Sequence, residues 1–353
     1  MTRRTVPSLR RTSRGFTLVE LMIALLLGLF LVIALVSLLV SNVTTRSELD
    51  KTGRQIENGR YAIQLISEDL QNAGYLGAAA TTAFATALPV ICPAKMADLG
   101  YVPQTNPGTS TIPVPVYGFS AVPTCVTNHA ANTAMVLLTR VRTQTDTVAT
   151  MTAGETYLQV SNCATDTVPY AIGTTSASFG LTTKDCTKAE VLRKVVQRIY
   201  FVSSCNVCTG TGADTTPTLK MAEYVAGAMT VTPLVEGIEN LQFDYGVDMD
   251  GDGGPDCYVS DPGSPSATEV AACPVTTPAY DWTVPTTNWT NVMAIRIHVL
   301  ARATENSPAW SDARKYDMGL AVGTVGPFKD AVKRHVYSAV ARLYNGSGQR
   351  EQP

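Results

Sequence analysis

The sequence predicts an α+β protein, in which one long N-terminal helix packs on an antiparallel β-sheet head with long, disulfide-stapled loops. Three observations support this fold class. An apolar run at 21–40 leads into an amphipathic segment that ends near two glycines. The rest of the chain, 78–353, is rich in Thr, Val, Ala, Gly and Pro and poor in charge, which is typical of strands and turns. All eight cysteines lie in that second part.

The apolar run is long enough to cross a membrane. From Leu21 to Val40 only one glycine and one serine interrupt the hydrophobic residues. Twenty helical residues rise roughly 30 Å, which is the thickness of a bilayer's hydrocarbon core. Residues 1–15 contain five arginines and no acid, a flank that stays cytoplasmic. We therefore predict that residues 16–41 form the membrane-spanning half of the helix.

The helix is predicted to continue through an amphipathic half, residues 42–77. Apolar residues recur every seven positions, and a second set thickens the stripe: Leu49, Ile56, Ile63 and Leu70, then Ile66 and Ala73. Charged residues lie between them, so the helix has one face for a core. The spacing also suits a coiled coil, but the large downstream region favours packing on a sheet.

Residues 78–353 are predicted to form a β-rich head with two lobes, 78–188 and 189–353. The candidate strands are Ala134–Arg140, Thr156–Val160, Glu190–Val202, Thr218–Tyr224, Met229–Val235, Glu239–Tyr245, Val292–Arg302 and His335–Tyr344. Turn-rich stretches separate them, at 79–133, 161–187, 205–217 and 250–291. Loops of this length usually carry function or need a covalent cross-link to hold them in place.

The cysteines are predicted to form disulfides that cross-link those loops. An even number beyond a membrane segment indicates oxidation. Sequential pairing is the simplest of the 105 connectivities that eight cysteines allow: Cys92 with Cys125, Cys163 with Cys186, Cys205 with Cys208, and Cys257 with Cys273. The Cys205–Cys208 spacing also suits a redox or zinc site. The sequence has no second CxxC and no βαβ pattern beside it, which favours a structural disulfide.

One acidic loop has the pattern of a calcium site. Acids occupy positions 1, 3, 5 and 9 of the loop, and glycines occupy positions 6 and 7: Asp248, Asp250, Asp252 and Asp256, with Gly253 and Gly254. The bidentate glutamate of position 12 is replaced by Val259, and flanking helices are not predicted, so an EF-hand is excluded. We expect weak calcium binding by the four aspartates and the Gly254 carbonyl. An acidic hairpin loop is the alternative, and no other cofactor is required.

The segment Gly15–Ala24, GFTLVELMIA, resembles the class III signal of type IV pilins and type II secretion pseudopilins. In that family a prepilin peptidase cuts after the glycine and methylates the new N-terminal phenylalanine. The resemblance implies that residues 1–15 are a leader removed after Gly15, that Phe16 is N-methylated and that Glu20 is an assembly contact. The N-terminal amine of one subunit would neutralise Glu20 of its neighbour, because a buried charge left alone is costlier than a pair.

Three later blocks resemble the PilW family of minor pilins: Leu234–Asp248, Asn291–Ile297 and Arg334–Asn345. The resemblance implies a single-pass inner-membrane protein with a periplasmic head that also enters the pilus fibre or its tip. The expected partners are other minor pilins, the major pilin, a tip adhesin and the prepilin peptidase. The expected role is priming of pilus assembly, in support of twitching motility, adhesion or DNA uptake. A type II secretion pseudopilin and an adhesin that binds surfaces directly are the alternatives.

Composition and motifs argue against other classes of function. The formal net charge is -2, and the head is net acidic, so direct nucleic-acid binding is not expected. The histidines are His129, His298 and His335, and none of them lies in a catalytic motif. The sequence contains no G-x-S-x-G, phosphate-loop, HExxH or dinucleotide-binding pattern. We therefore predict a protein without enzymatic activity.

Overall fold

The structure is a computed structural model that describes residues 15–308 and 310–351. It confirms the α+β class, with a long N-terminal apolar helix, antiparallel sheets and four disulfides. The first helix, α1, spans Leu18–Gln71. The chain divides into two compact units between Lys51 and Thr52. All but the last residue of the predicted leader, 1–15, lie outside the described residues.

The described ranges contain fifteen strands and three further α-helices. The strands are β1 (Ala85–Ala87), β2 (Thr111–Pro113), β3 (Val116–Phe119), β4 (Met135–Val141), β5 (Tyr157–Val160), β6 (Tyr170–Gly173), β7 (Leu192–Ser203), β8 (Thr218–Val225), β9 (Ala228–Glu236), β10 (Ile238–Val247), β11 (Cys257–Val259), β12 (Val292–Arg302), β13 (Tyr316–Asp317), β14 (Thr324–Val325) and β15 (Arg334–Arg342). The helices are α2 (Ala267–Ala272), α3 (Pro285–Thr290) and α4 (Tyr344–Arg350). Each of the eight predicted strands is present.

Two antiparallel sheets form most of the head. The seven-stranded sheet runs β3-β4-β7-β5-β6, with β8 on β7 and β9 on β8. The four-stranded sheet runs β11-β10-β12-β15. The strand β7 is long enough to pair with β4, β5 and β8. The lobe boundary near residue 188 stays a prediction, although β7 pairs with strands from the other side of it.

The C-terminal part of α1 packs into one core with both sheets. Ala62, Ile66 and Leu70 are fully buried and share this core with residues of β4, β7, β10 and β12. The predicted seven-residue stripe was wrong at its start, because Leu49 is 66% and Ile56 40% exposed.

Polar and small residues occupy the buried face of α1 instead. The Gln55 side chain is buried because its Nε2 donates to the Ala301 carbonyl, 2.9 Å away. Gly59 is buried because the Tyr337 ring lies where a Cβ would project. Neither contact follows an apolar repeat, so a stripe counted from hydrophobic residues alone misplaces this face.

Specific contacts fix the C-terminal end of α1 and the last helix of the head. Gly74 follows α1 with a φ of +74°, as the predicted helix end requires, and its N–H donates to the Thr139 carbonyl at 2.8 Å. The closing strand ends at Arg342, before the predicted Tyr344. Tyr344 instead begins α4, and Arg350 at the other end of this helix forms an ion pair with Asp248.

The four disulfides join the sequential pairs. Each closes one of the turn-rich stretches predicted from the sequence: Cys92–Cys125, Cys163–Cys186, Cys205–Cys208 and Cys257–Cys273. Three of these stretches also contain short strands of three or four residues, which the sequence analysis did not predict. Short pairing of this kind depends on the partner segment rather than on local pattern.

Candidate functional site

The N-terminal part of α1 exposes a continuous apolar surface. Its most apolar stretch of 18 residues has a mean hydropathy of 3.2, and none of these residues is buried. Among the described residues it is the one helix long and apolar enough to cross a membrane. Large side chains such as Phe30 and Leu35 are about two-thirds exposed. A surface of this kind is suited to lipid or to neighbouring apolar helices.

The predicted processing residues lie just before α1. Gly15 and Phe16 are exposed and non-helical, and Phe16 is 86% exposed. Helical backbone of α1 begins at Leu18, so a cut after Gly15 would leave α1 intact. Cleavage there would place the new amino group of Phe16 four residues before Glu20.

Glu20 belongs to a capping box that the sequence analysis did not identify. Its Oε2 accepts the backbone N–H and the hydroxyl of Thr17, each at 3.0 Å. In return the Glu20 N–H donates to Thr17 Oγ1 at 3.3 Å. Thr17 and Glu20 have the Ser/Thr-x-x-Glu spacing that signals such a box. The box fixes the position of the carboxylate at the first turn of the apolar helix.

Asp69 anchors the other end of α1 in the head. Its carboxylate is 6% exposed and pairs with Arg140 at 2.8 Å and with Arg198 at 2.9 Å. The Tyr200 hydroxyl donates to the same carboxylate at 2.8 Å. These partners lie on β4 and β7, so one helical acid connects α1 to two strands. Burial favours the neutral acid, but the two guanidiniums outweigh it and hold the pKa of Asp69 below its usual value.

Arg334, the first residue of β15, forms a second buried ion network. Its guanidinium pairs with Glu239, with Asp312 at 3.1 Å and with Asp330. It also lies 3.9 Å over the Phe328 ring. Although burial favours its neutral form, the neighbouring carboxylates raise the pKa of Arg334. The network therefore ties the loop before β15 to the start of β10.

His298 lies in a buried chain of polar groups across the four-stranded sheet. Its Nε2 is 3.2 Å from Asp244, and its Nδ1 is 3.0 Å from the Ser338 hydroxyl. Asp244 also accepts the Leu320 N–H and pairs with Arg296. Gly319, at a φ of +84°, packs so closely on Asp244 and His298 that a Cβ would overlap them. The imidazole is thus covered, and the chain of bonds fastens β10, β12 and β15 to one loop.

The aspartate loop brings three of its four acids together. Asp248, Asp250 and Asp256 each place an oxygen within 4.8 Å of the others. Asp252 is not in this group, and its Oδ1 accepts the N–H of Gly254. Asp248 is already neutralised by Arg350 at 2.8 Å. A cation held here would therefore have Asp250 and Asp256 as its exposed ligands.

A groove of about 890 Å³ opens between the two sheets of the head. Its walls come from β3, β4 and β10 and from the loop that contains β14. Phe119, Phe243 and Phe328 give it an apolar lining, and Glu239 and Asp261 lie among them. Its volume is in the range of sites that take a small molecule or a few side chains.

Comparisons with known proteins agree with these features. The prokaryotic N-terminal methylation motif matches residues 10–36, which include Gly15, Phe16 and Glu20. This motif and the exposed apolar helix support a type IV pilin-like role.

A second family model, described as Type IV Pilus-assembly protein W, matches residues 199–345 and so covers β8 to β15. The two matches confirm the resemblance to the PilW family and to a class III signal that the sequence indicated. No curated protein and no solved structure matches the chain significantly.

Proposed function

We propose that the chain is a minor pilin that primes type IV pilus assembly and is retained at the pilus tip. Its partners would be other minor pilins, the major pilin and a tip adhesin, after cleavage and methylation by the prepilin peptidase. The protein would have no enzymatic activity. The observation that carries this proposal is the exposed apolar part of α1, whose single acid, Glu20, is fixed at the first turn of the helix.

The electrostatics of that acid support an assembly contact. A carboxylate at the start of an apolar helix is costly unless a cation meets it. Processing after Gly15 would create a cationic amine on Phe16, and an incoming subunit would bring this amine beside the Glu20 of its neighbour. Such a pair sets the axial register of two helices, because any other register leaves both charges unpaired. The head would add lateral or capping contacts.

The orientation follows from the same features. The arginine-rich leader favours a cytoplasmic N-terminus, so the head would lie in the periplasm before assembly. Its four disulfides suit that oxidising compartment. We therefore place the unassembled chain in the inner membrane as a single-pass protein.

Blocking cleavage is expected to abolish the function. In a deletion strain, complementation with Gly15→Leu should leave the leader attached and restore no surface pili, because the bulky residue would not fit a peptidase that cuts after glycine. Wild-type complementation should restore them. Immunoblots for the leader and counts of sheared pili measure both effects. Gly180→Leu is a control, since Gly180 is exposed in the head, has open space around its Cα and lies outside both the cleavage site and α1.

The same strains separate the alternatives. Normal piliation in the deletion strain would contradict the priming role. Normal piliation with lost protein export would identify a type II secretion pseudopilin. Normal piliation with lost surface attachment would favour an adhesin, the second candidate function, for which the apolar groove of about 890 Å³ is the supporting observation.

Calcium binding by the aspartate loop is proposed as an accessory feature. Three convergent carboxylates support it, and we expect calcium to raise the melting temperature of the full chain. A calcium concentration a hundred times Kd would stabilise the folded protein by about 2.7 kcal/mol. Asp250→Ala should abolish the shift, whereas Asp252→Ala should keep it because Asp252 lies outside the cluster. An unchanged melting temperature of the wild type, with calcium or with chelator, would exclude the site.

A further inference from the structure

The loop between β7 and β8 holds a disulfide in an environment unlike that of the other three. Cys205 and Cys208 close a ring with a sequence separation of 3, against 33, 23 and 16 for the others. The Nζ of Lys220, on β8, lies 3.4 Å from the Sγ of Cys208. Lys220 itself is 8% exposed. A buried ammonium is thus in contact with one sulfur of a CxxC disulfide.

The loop around this disulfide is held in shape by other contacts. The Asp214 carboxylate accepts the backbone N–H groups of Asn206, Val207 and Thr216 at 2.7–2.8 Å. The Ser203 hydroxyl lies 3.7 Å from the Sγ of Cys205 and 3.6 Å from that of Cys208. These bonds do not depend on the S–S bond. Opening it would therefore leave both sulfurs close enough to close again.

Within the described ranges, the other three disulfides combine neither a lysine contact nor so short a ring. Hydroxyl and backbone groups contact their sulfurs: the Cys125 N–H at Cys92, Thr165 at Cys163 and Cys186, and the Glu269 carbonyl at Cys273. They also close much longer rings, which constrain the unfolded chain more strongly. Opening Cys205–Cys208 consequently sacrifices less of the fold's stability than opening any of the others.

We propose that Cys205–Cys208 is a thiol–disulfide exchange site, and that Lys220 makes it more easily reduced than the three structural disulfides. The substrate is a dithiol, either a small molecule or the paired cysteines of an oxidoreductase. A thiolate at Cys208 would be stabilised by the Lys220 ammonium, since the thiolate is the form that a neighbouring cation favours. The inference is independent of the pilus role.

The exchange balances in two steps. A thiolate of the dithiol attacks Sγ of Cys208, which is more exposed than Cys205; the S–S bond breaks, and its electron pair passes to Cys205, which takes a proton. The second sulfur of the dithiol then attacks the first, forming a cyclic disulfide, and Cys208 leaves as a thiolate beside Lys220. Two electrons pass to the cystine, and of the dithiol's two protons one goes to Cys205 and one to solvent.

The test is an equilibrium titration of the full chain in detergent with dithiothreitol buffers of rising reduced-to-oxidised ratio. After acid quench and alkylation, mass spectrometry reports each cysteine. We expect Cys205–Cys208 to be half reduced at a ratio at least tenfold lower than the others, which for this two-electron couple is about 30 mV. Cys163–Cys186 is the internal control, because Cys186 is exposed but has hydroxyl neighbours instead of an ammonium.

Substitutions separate the charge from mere accessibility. Lys220→Met should raise about tenfold the reduced-to-oxidised dithiothreitol ratio at which Cys205–Cys208 is half reduced. Lys220→Arg should keep this ratio near the wild-type value. Lys194→Met removes an equally buried lysine that pairs with Glu155, and it should leave the ratio unchanged. If the wild-type Cys205–Cys208 bond is reduced no earlier than Cys163–Cys186, the proposal is wrong whatever the variants do. An unchanged ratio in Lys220→Met would equally overturn it.

Discussion

Replacing Asp69 by alanine is expected to destabilise the head by about 3–5 kcal/mol, because the change leaves the guanidiniums of Arg140 and Arg198 without their buried counter-ion. The Tyr200 hydroxyl loses its acceptor as well. For a head of this size the melting temperature should fall by about 5–8 °C. Thermal unfolding of the full chain in detergent measures it.

Glu68 provides the matched control for this substitution. It precedes Asp69 on α1 but is exposed, and its carboxylate accepts only the side chain of Gln64 among the described residues. Glu68→Ala should change the stability by less than about 0.5 kcal/mol. Equal effects of the two substitutions would show that Asp69 is not an anchor.

The stabilisation by Asp69 should depend on pH in a definite direction. The pKa of Asp69 is lowered in the folded head, so its contribution is present above the unfolded value near pH 4 and is lost as the pH falls through the folded pKa. The difference in melting temperature between wild type and Asp69→Asn should therefore shrink below about pH 4. A constant difference down to the lowest pH at which both proteins fold would contradict the assignment.

The main elements of the fold could be predicted because their signals are local. The strand Val292–Arg302 is rich in apolar and β-branched residues, and the structure gives it the predicted bounds. The helix was predicted from its apolar run and from the glycines that end it, and α1 extends to Gln71. The family resemblance rests on one N-terminal segment and three later blocks, and all four lie within the regions that the comparisons match.

The buried polar anchors could not be predicted, because they depend on partners far away in the sequence. In the sequence Asp69 looks like any other charged residue of an amphipathic helix. Only the fold brings Arg198, on β7, beside it. The same holds for Lys220, which is twelve residues from Cys208 along the chain and reaches it only because β8 returns beside the loop. The capping box of Thr17 and Glu20 is different, since its spacing is a local signal that could have been read.

The central claim is that the charge of Glu20 pairs with the N-terminal amine of a neighbouring subunit. Glu20→Gln is therefore expected to have a large effect on pilus assembly. A glutamine at this position can still complete a capping box with Thr17, so the helix start is preserved. It cannot neutralise an incoming amine, and a buried cation left without its partner costs several kcal/mol. We therefore expect normal processing of the variant but a loss on the order of tenfold or more in its incorporation into pili.

Thr17→Ala is the complementary control, because it removes the capping hydroxyl but keeps the Glu20 carboxylate. The loss of an N-cap side chain costs about 1 kcal/mol of helix stability, which an apolar membrane helix tolerates. This variant should be processed and incorporated nearly as well as the wild type. The pair of variants thus separates a role of Glu20 in helix capping from a role in charge pairing.

The most direct test is the fraction of processed chain found in sheared pili, relative to the membrane, for wild type, Glu20→Gln and Thr17→Ala. Charge pairing predicts that Glu20→Gln stays in the membrane while Thr17→Ala enters pili like the wild type. Equal incorporation of Glu20→Gln and wild type, or a loss in Thr17→Ala as large as that in Glu20→Gln, would contradict it.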